Sequence, residues 1–324
     1  MKTAAIQMDM AFADPQRNFQ RAVSLIRRAA QQQPDVILLP ETWNVGFYPK
    51  ENLPALADRD AAETARPGTT LRKETAVERT EALRKPGERI DDLQRSGLRI
   101  LQDPDRFCFG MDAVLLSGFV TVKRGEKVTD LCTGTGIIPL LLSAKTEASE
   151  IDGIEIQSEM ADMARRSVVM NGLEDRVRII CGDLREAGAA GDRESRDVVT
   201  CNPPYMAAGS GIVNPEDVKA LARHEVTCTL EDAVRETARL LRNGGRTAWV
   251  YRPNRLSELF TCFRRYHMEP KRLKFVHSYL DREANMVLVE AVKGGGSFLK
   301  VEAPLVVFRK DGEYMPEIRD IYGY

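Results

Sequence analysis

Hydrophobic runs of two lengths alternate along most of the chain. Short runs of strand length, such as residues 127–132 and 151–155, are separated by longer stretches with the helical period, such as residues 158–171. Strands that alternate with helices predict a mainly parallel sheet with helices on both faces. Two late runs, 273–277 and 286–292, lack a full helix between them and predict an antiparallel hairpin at the end of that sheet.

The pattern therefore predicts an α/β fold with a seven-stranded sheet. The expected strands cover residues 127–132, 151–155, 177–181, 197–201, 246–251, 273–277 and 286–292. The expected helices cover residues 137–145, 158–171, 230–241 and 256–265, and a last short strand is expected at 303–308.

The first sixty residues show a smaller version of the same pattern. An apolar run at 3–6, an amphipathic stretch at 18–31 and a buried-strand run at 36–39 predict a β-α-β fragment. The following segment is charged, poor in apolar residues and interrupted by Pro-Gly pairs, which favours an exposed linker. We expect a fragment at 1–60, a charged linker at 61–87 and the main domain at 88–324.

Composition narrows the class of protein. Of the 324 residues, 43% are hydrophobic and 29% are charged, as in an ordinary soluble globular protein. No apolar run approaches the roughly 18 residues that a membrane span needs, so we expect a cytoplasmic protein without a membrane partner. The six cysteines are scattered and only three histidines are present, so no metal site is expected.

Charge gives no global attraction to nucleic acid, because the formal net charge is −1. Residues 252–274, however, carry seven cations against two glutamates, a local net charge of +5 that would attract phosphates. A solvated helix face is the alternative interpretation. The candidate RNA-binding residues are Arg252, Arg255, Arg264, Arg265, Lys271, Arg272 and Lys274.

A glycine-rich turn follows the first strand of the main domain. In an open α/β sheet this turn lies at the carboxyl edge, where ligands bind, and Gly134 and Gly136 allow close approach of a ligand. A dinucleotide site would require a third glycine in the region that residues 137–139 occupy, and Asp130 suits a cationic group better than a diphosphate. A tight turn without a ligand remains an alternative.

Acidic residues mark the next two strand ends. Glu155 is placed to accept hydrogen bonds from ribose hydroxyls, and Asp183 to accept one from an adenine amino group or to cap a helix. Together with the turn they indicate a nucleoside with a cationic tail. The chain here resembles the Rossmann-like class I methyltransferases, which implies S-adenosylmethionine as cofactor. The candidate cofactor-binding residues of these strand ends are Asp130, Thr133, Gly134, Gly136, Glu155, Ile156, Asp183 and Leu184.

The fourth strand ends in Asn202-Pro203-Pro204-Tyr205. Here the resemblance sharpens to methyltransferases that act on planar amino groups. It implies that the Asn202 amide oxygen and the Pro203 carbonyl accept hydrogen bonds from the amino group, that two prolines fix this carbonyl, and that Tyr205 stacks on a flipped base. A turn with an aromatic lid is the alternative interpretation.

Adenine N6, cytosine N4 and a protein glutamine amide share this motif. Residues 88–93, 100–102 and 107–116 resemble the N-terminal part of the bacterial tRNA1(Val) adenine-37 N6-methyltransferases. The resemblance implies a tRNA partner, an anticodon-loop adenine as target, and a segment with Phe109, Gly110 and Asp112 that closes over the cofactor. A release-factor-type glutamine N5-methyltransferase and a noncatalytic nucleotide- or RNA-binding module remain alternatives.

The N-terminal segment resembles a different enzyme class. Residues 4–9 and 35–43, with Gly46 and Phe47, resemble the opening of the nitrilase-superfamily carbon-nitrogen hydrolases. That resemblance implies that Glu41 matches the general base of a Glu-Lys-Cys triad. Because the chain leaves the pattern before the lysine and cysteine segments, we expect a catalytically incomplete fragment.

Overall fold

The computed structural model describes residues 3–5, 36–38, 81–106, 108–186, 188, 191–203 and 228–323. The chain divides into two compact units, Met1–Lys73 and Glu74–Tyr324. In the first unit β1 (Thr3–Ala5) and β2 (Val36–Leu38) pair in parallel, as a β-α-β interpretation requires. The predicted helix at 18–31, Glu41, and the predicted linker up to residue 80 lie outside the described residues.

The second unit is built on one large sheet with helices on both faces. Its central strands are β5 (Lys127–Leu131), β6 (Glu150–Glu155), β7 (Val177–Cys181), β8 (Arg196–Cys201), β9 (Leu241–Tyr251), β10 (Met268–His277) and β11 (Ala284–Lys293). Its predicted helices are α2 (Ile137–Lys145), α3 (Ser158–Met170), α4 (Leu230–Leu240) and α5 (Leu256–Arg265). The predicted α/β fold, a mainly parallel sheet with an antiparallel hairpin, is confirmed with all seven predicted strands, and the bounds of β7, α2 and α5 are those that the hydrophobic pattern predicts.

The order of strands fixes the position of the site. Across the sheet the strands run β10-β11-β9-β8-β5-β6-β7. Strands β5 to β9 are mutually parallel, whereas β11 pairs antiparallel with both β9 and β10 and forms the predicted hairpin. The chain leaves β5 to one side for β6 and β7 and to the other for β8 and β9, so the topological switch lies between β5 and β8. Ligands bind outside the carboxyl ends of strands at such a point.

Several of the described elements were not predicted as helices or strands. They include the hairpin of β3 (Arg89–Asp92) and β4 (Arg99–Gln102), helix α1 (Met111–Phe119) and helix α6 (Pro316–Tyr322). Six of the nine α1 residues are buried, so this helix lacks the polar face that gives an amphipathic period.

The strand structure near the C-terminus differs from the one predicted. In place of a strand at 303–308, two-residue strands β12 (Lys300–Val301) and β13 (Leu305–Val306) pair in parallel with β10. They make the sheet nine-stranded and cover its edge.

Two apolar clusters hold the second unit together on opposite faces of the sheet. One contains Leu116, Leu140 and Ile151 and lies under α1, α2 and α3. The other contains Trp249 and Phe263, whose rings meet edge to face at 5.5 Å under α4 and α5. Successive strand residues alternate between the clusters, which explains why the parallel strands are almost continuously apolar.

Within the described ranges, every helix is too short or too polar to cross a bilayer.

Candidate active site

A cavity of about 380 Å³ opens at the carboxyl ends of the parallel strands. This volume is within the range of small-molecule sites. Most of the predicted cofactor-binding and amino-gripping residues lie on its wall, although they come from five separate segments of the chain. The predicted residues that line it are Phe109, Gly110, Asp112, Thr133, Gly134, Glu155, Ile156, Asp183, Leu184, Asn202, Pro203 and Arg252.

Glu155 organises the turn after β5 from the neighbouring strand. Its Oε2 accepts a hydrogen bond from the Gly134 backbone N–H at 2.9 Å, and its Oε1 accepts from the Gln157 backbone and side chain at 3.0 and 3.2 Å. A carboxylate has about four lone-pair sites, so these three bonds leave acceptor capacity for a ligand hydroxyl. Glu155 thus holds the turn in place and also faces the cavity.

The two glycines of the turn have different roles. Gly134 has a φ of +56°, and a Cβ built there meets nothing within 4 Å, so its backbone is open to a ligand. Gly136, with a φ of +82°, does not line the cavity; its Cβ would lie 3.0 Å from the Cβ of Ala164. The second glycine therefore allows close packing of the turn against α3 and is not itself a cavity residue.

Asp130 lies beneath the cavity, not on its wall. Its side chain is fully buried, Oδ1 accepts a hydrogen bond from the Thr200 hydroxyl at 2.6 Å, and burial raises the pKa of Asp130 to about 7. Among the described residues, Asp130 Oδ2 and Thr133 Oγ1 are buried without a well-formed hydrogen bond, although the Thr133 hydroxyl lies close enough to Asp130 to lower its pKa. Both groups lie beside the open backbone of Gly134, so a ligand there would meet a polar environment.

Asp183 lines the cavity with its carboxylate already bound. The Arg185 guanidinium donates to it at 2.9 Å, and this hydrogen bond holds the pKa of Asp183 below its ordinary value. The Arg185 backbone N–H also donates to Asp183 Oδ1 at 2.9 Å; this bond caps a turn, and residues 184–186 do not form the helix that the capping alternative required. Binding an adenine amino group here would mean sharing or displacing these donors.

Part of the cavity wall is formed by the segment that precedes α1 and by the first turn of α1. The Phe109 backbone N–H donates to the Gln102 side chain at 3.0 Å, which anchors this segment to β4. Asp112 Oδ1 accepts from the Ala113 backbone N–H at 3.0 Å in the first turn of α1. Two elements that the pattern missed, the β3–β4 hairpin and α1, therefore position Phe109, Gly110 and Asp112 over the cavity.

Asn202 and Pro203 follow β8 directly, and they lie next to the turn after β5 because Leu131 pairs with Cys201 across the two strands. The other two residues of the motif, Pro204 and Tyr205, lie outside the described residues. The structure thus brings half of the predicted amino-gripping motif to the cavity.

The cations of the predicted RNA-binding stripe are mostly engaged with carboxylates. Arg264 pairs with Glu269, Arg265 with Glu231, and Arg255 with Glu258, while Arg272 and Lys274 pair with Glu290, Glu302 and Glu317. Lys271 donates to the Gly296 carbonyl. Four of these glutamates, Glu231, Glu290, Glu302 and Glu317, lie outside residues 252–274, so the local count of +5 leaves out part of the surrounding negative charge.

Members of the stripe therefore differ in environment. Arg264 and Arg265 are exposed, so their ion pairs are weak and an RNA phosphate could compete for them. Arg272 is largely covered and lies over the Phe119 ring at 4.4 Å, which is a packing role. Arg252 lies on the cavity wall itself. RNA binding by this set stays a prediction.

Several cavity residues were not singled out from the sequence. They are Ala113, Cys132, Thr135, Ile137, Ile138, Ile154, Gln157, Met160, Gly182 and Cys228. Most of them are neighbours of predicted residues and follow from the strand ends. Cys228 does not, because residues 204–227 separate it from Asn202 in the sequence.

Two family models match the chain. Residues 110–260 match the methyltransferase small domain, and residues 2–81 match the carbon-nitrogen hydrolases. The second match reaches beyond the sixty residues expected for the N-terminal fragment. Both resemblances stated from the sequence are confirmed.

Curated relatives match the second unit. A tRNA1(Val) (adenine(37)-N6)-methyltransferase from Porphyromonas gingivalis is 28% identical over 187 residues, covering 56% of this chain and 72% of that protein. A protein of the same name from Aeromonas hydrophila is 28% identical over 206 residues, covering 63% and 84%.

Among solved structures, a predicted O-methyltransferase from Agrobacterium tumefaciens superposes with a TM-score of 0.54 at 24% identity, covering 65% of this chain and 95% of that one. That likeness establishes the fold. The second unit therefore has a methyltransferase-type α/β fold and is similar to the bacterial tRNA1(Val) (adenine(37)-N6)-methyltransferases, and the N-terminal residues are similar to the carbon-nitrogen hydrolases.

Proposed function

We propose that this protein transfers a methyl group from S-adenosylmethionine to the N6 amino group of an adenine in the anticodon loop of a tRNA. The observation that carries the proposal is that Asn202 and Pro203 line the same cavity as Gly134, Glu155 and Asp183. An amino-gripping pair thus adjoins a nucleoside-type pocket. The names of the curated relatives support adenine in tRNA as the substrate.

The cavity residues fit S-adenosylmethionine. The open backbone at Gly134 leaves room for its chain, and Glu155 retains capacity to accept from ribose hydroxyls. Thr133 lines the cavity and the Asp130 carboxyl is buried behind it, so this part of the wall is polar and suits its ammonium group. These residues would hold the donor over the turn after β5.

Asn202 and Pro203 would carry the chemistry on the other side of the cavity. When bound here, S-adenosylmethionine would supply an electrophilic methyl group to the adenine nitrogen and would leave as the neutral thioether. The adenine N6 lone pair is delocalised into the ring and is a poor nucleophile. The Asn202 amide oxygen and the Pro203 carbonyl accept hydrogen bonds from N6 and favour a pyramidal nitrogen aimed at the methyl group. The methylated nitrogen then releases a proton to solvent.

The test is mass spectrometry of nucleosides from unmodified tRNA incubated with the protein and labelled S-adenosylmethionine. N6-methyladenosine carrying the label is expected. A release factor is offered in parallel, because a glutamine N5-methyltransferase would label the protein and leave the tRNA unlabelled. Labelling confined to the release factor would refute the proposal.

We propose no amidase activity for the N-terminal segment, and we keep 1–60 and 61–87 as its fragment and linker. The basis is that the sequence departs from the hydrolase pattern before the lysine and cysteine of the triad. Incubation of the full chain with a panel of simple amides and nitriles should release no ammonia. Turnover of any of them would contradict this assignment.

A further inference from the structure

The strand order arranges the candidate residues in a line along the carboxyl edge. From one end they are Asp183 after β7, Glu155 at β6, Gly134 after β5, Asn202 after β8 and Arg252 after β9. Adjacent strands lie about 4.8 Å apart, so Arg252 is roughly 10 Å from the β5 turn, beyond Asn202. If the methyl group is transferred at Asn202, Arg252 lies on the side of the substrate and not of the donor.

A chain of hydrogen bonds joins Arg252 to the tip of the β10–β11 hairpin. Its Nη1 donates to the Asn285 carbonyl at 3.0 Å, and the Asn285 side-chain amide donates to the Ser278 hydroxyl at 3.1 Å. Because Tyr251 at the end of β9 pairs with Val287 near the start of β11, the hairpin tip at residues 278–283 lies on the carboxyl edge. The tip therefore lies at the same edge as the cavity and is joined to its Arg252 wall.

The tip presents an apolar surface with a rigid base. Leu280 is 77% exposed, and the neighbouring Tyr279 ring packs on Phe308 at 5.5 Å. Phe308 stacks in turn on Tyr314 at 5.3 Å, and Tyr314 on Tyr322 at 5.9 Å. An exposed leucine beside a prepositioned tyrosine is a surface on which a base can pack with little loss of side-chain entropy.

The hairpin tip and Arg252 differ in charge, so we expect them to contact different parts of an RNA. Asp281 and Glu283 flank Arg282 at the tip, so this segment does not attract a phosphate backbone by itself. Arg252, by contrast, is a cavity cation beside the amino-gripping residues. Phosphate binding is expected at the arginine, and base contact at Tyr279 and Leu280.

We propose, on the basis of the proposed function, that Arg252 and the hairpin tip form the surface that holds the RNA strand beside the target adenosine. The Arg252 guanidinium binds a phosphate that flanks the target nucleotide, and Tyr279 and Leu280 receive the neighbouring base.

Steady-state methylation of an anticodon stem-loop RNA tests the surface. Arg252→Ala is expected to raise KM for the RNA by about 10-fold to 100-fold, since it removes a charge-assisted hydrogen bond, and to reduce the slope of affinity against salt by ~0.7. Leu280→Ser should raise KM by a smaller factor. The affinity for S-adenosylmethionine, measured by calorimetry, should not change in either variant.

The matched control residues lie at the other end of the strands, where the parallel strands begin. Arg124→Ala replaces an 87% exposed arginine just before β5, and Phe298→Ser replaces a 75% exposed apolar residue after β11. Both should behave as the unaltered protein. A stem-loop with one neutral methylphosphonate linkage beside the target should abolish the difference between Arg252→Ala and the unaltered protein.

The outcomes distinguish two failures. If the unaltered protein methylates the RNA while Arg252→Ala and Leu280→Ser behave like the controls, the surface is wrong and the proposed function stands. If Arg252→Ala instead weakens binding of S-adenosylmethionine, the arginine serves the donor and this inference is overturned. An unaltered protein that methylates no RNA would overturn both proposals.

Discussion

The two halves of the carboxyl edge are built differently. On the β5–β7 half, the Glu155 carboxylate at the end of β6 accepts a hydrogen bond at 2.9 Å from the Gly134 backbone N–H in the turn after β5. On the β8–β9 half, Asn202 and Arg252 come from strand ends, and Arg252 is held by Asn285 in a later hairpin. In the first half the contact is made between neighbouring strands of the parallel sheet, whereas the second half also requires the later β10–β11 hairpin. Donor binding and substrate handling should therefore be separable by mutation.

The largest effect should come from the second half. Asn202→Ala removes one of the two acceptors for the amino group, and kcat is expected to fall by about 100-fold to 1000-fold, as for the loss of a preorganised catalytic hydrogen bond. Affinity for S-adenosylmethionine should stay within about twofold, because binding on the β5–β7 half does not use this amide. Radiolabel transfer and calorimetry measure the two quantities. Equal losses in both would erase the distinction between the halves.

The converse change lies in the first half. Glu155→Gln replaces a carboxylate oxygen with an amide nitrogen that faces backbone donors, and affinity for the donor is expected to fall by about 10-fold to 100-fold. The value of kcat at saturating donor should change little. Glu159→Gln, an exposed glutamate on α3, is the control. A fall in kcat without weaker donor binding would contradict the assignment of Glu155 to the pocket.

Arg272 tests whether a cation counted in the RNA-binding stripe is instead structural. Its guanidinium pairs with Glu290 and Glu302 at 2.8 Å each and covers Phe119. Arg272→Ala should lower the free energy of unfolding by about 1–3 kcal/mol and leave KM for RNA unchanged. Arg264→Ala, which breaks an exposed pair, should change stability by less than about 0.5 kcal/mol in urea unfolding. A higher KM for RNA with an unchanged free energy of unfolding would show that Arg272 binds RNA and is not structural.

The last expected effect concerns Asp130, beneath the boundary between the halves, and it shows only when the pH is varied. Burial raises its pKa to about 7, so the folded protein holds this proton more tightly than the unfolded chain does. Its contribution to stability is therefore greatest below the ordinary aspartate pKa and is lost as the pH rises towards about 7.

Asp130→Asn stays neutral, so its stability relative to the unaltered protein should improve between about pH 5 and about pH 8, by roughly 2–3 kcal/mol. Urea unfolding at several pH values measures this difference. Asp175→Asn, at an exposed aspartate, should show no such trend. A constant difference across the range would mean that Asp130 is already ionised in the folded protein.

The local pattern predicted most of the sheet because strand and helix periods differ and each element is long enough to show its own. The pattern did not predict helix α1, because this helix is buried on nearly all sides. Strand β9 begins five residues earlier than predicted, because residues 241–245 are rich in polar residues and glycine and lack a strand pattern. The pattern also overstated the positive stripe, because four of the glutamates that pair with it lie outside residues 252–274: Glu231, Glu290, Glu302 and Glu317.

The sequence by itself determined the strand ends and the residue types at them, since a turn such as that of Gly134 and a motif such as Asn202-Pro203 are written in consecutive positions. It could not decide which of those residues share a cavity. That depends on strand order, which placed β8 beside β5 and Arg252 at the substrate end of the line. It depends also on burial. Asp130 is buried beneath the cavity, and Gly136 packs against helix α3 and does not line the cavity. Both are consequences of long-range packing, because side chains far apart in the chain become neighbours only when the sheet closes its two apolar faces.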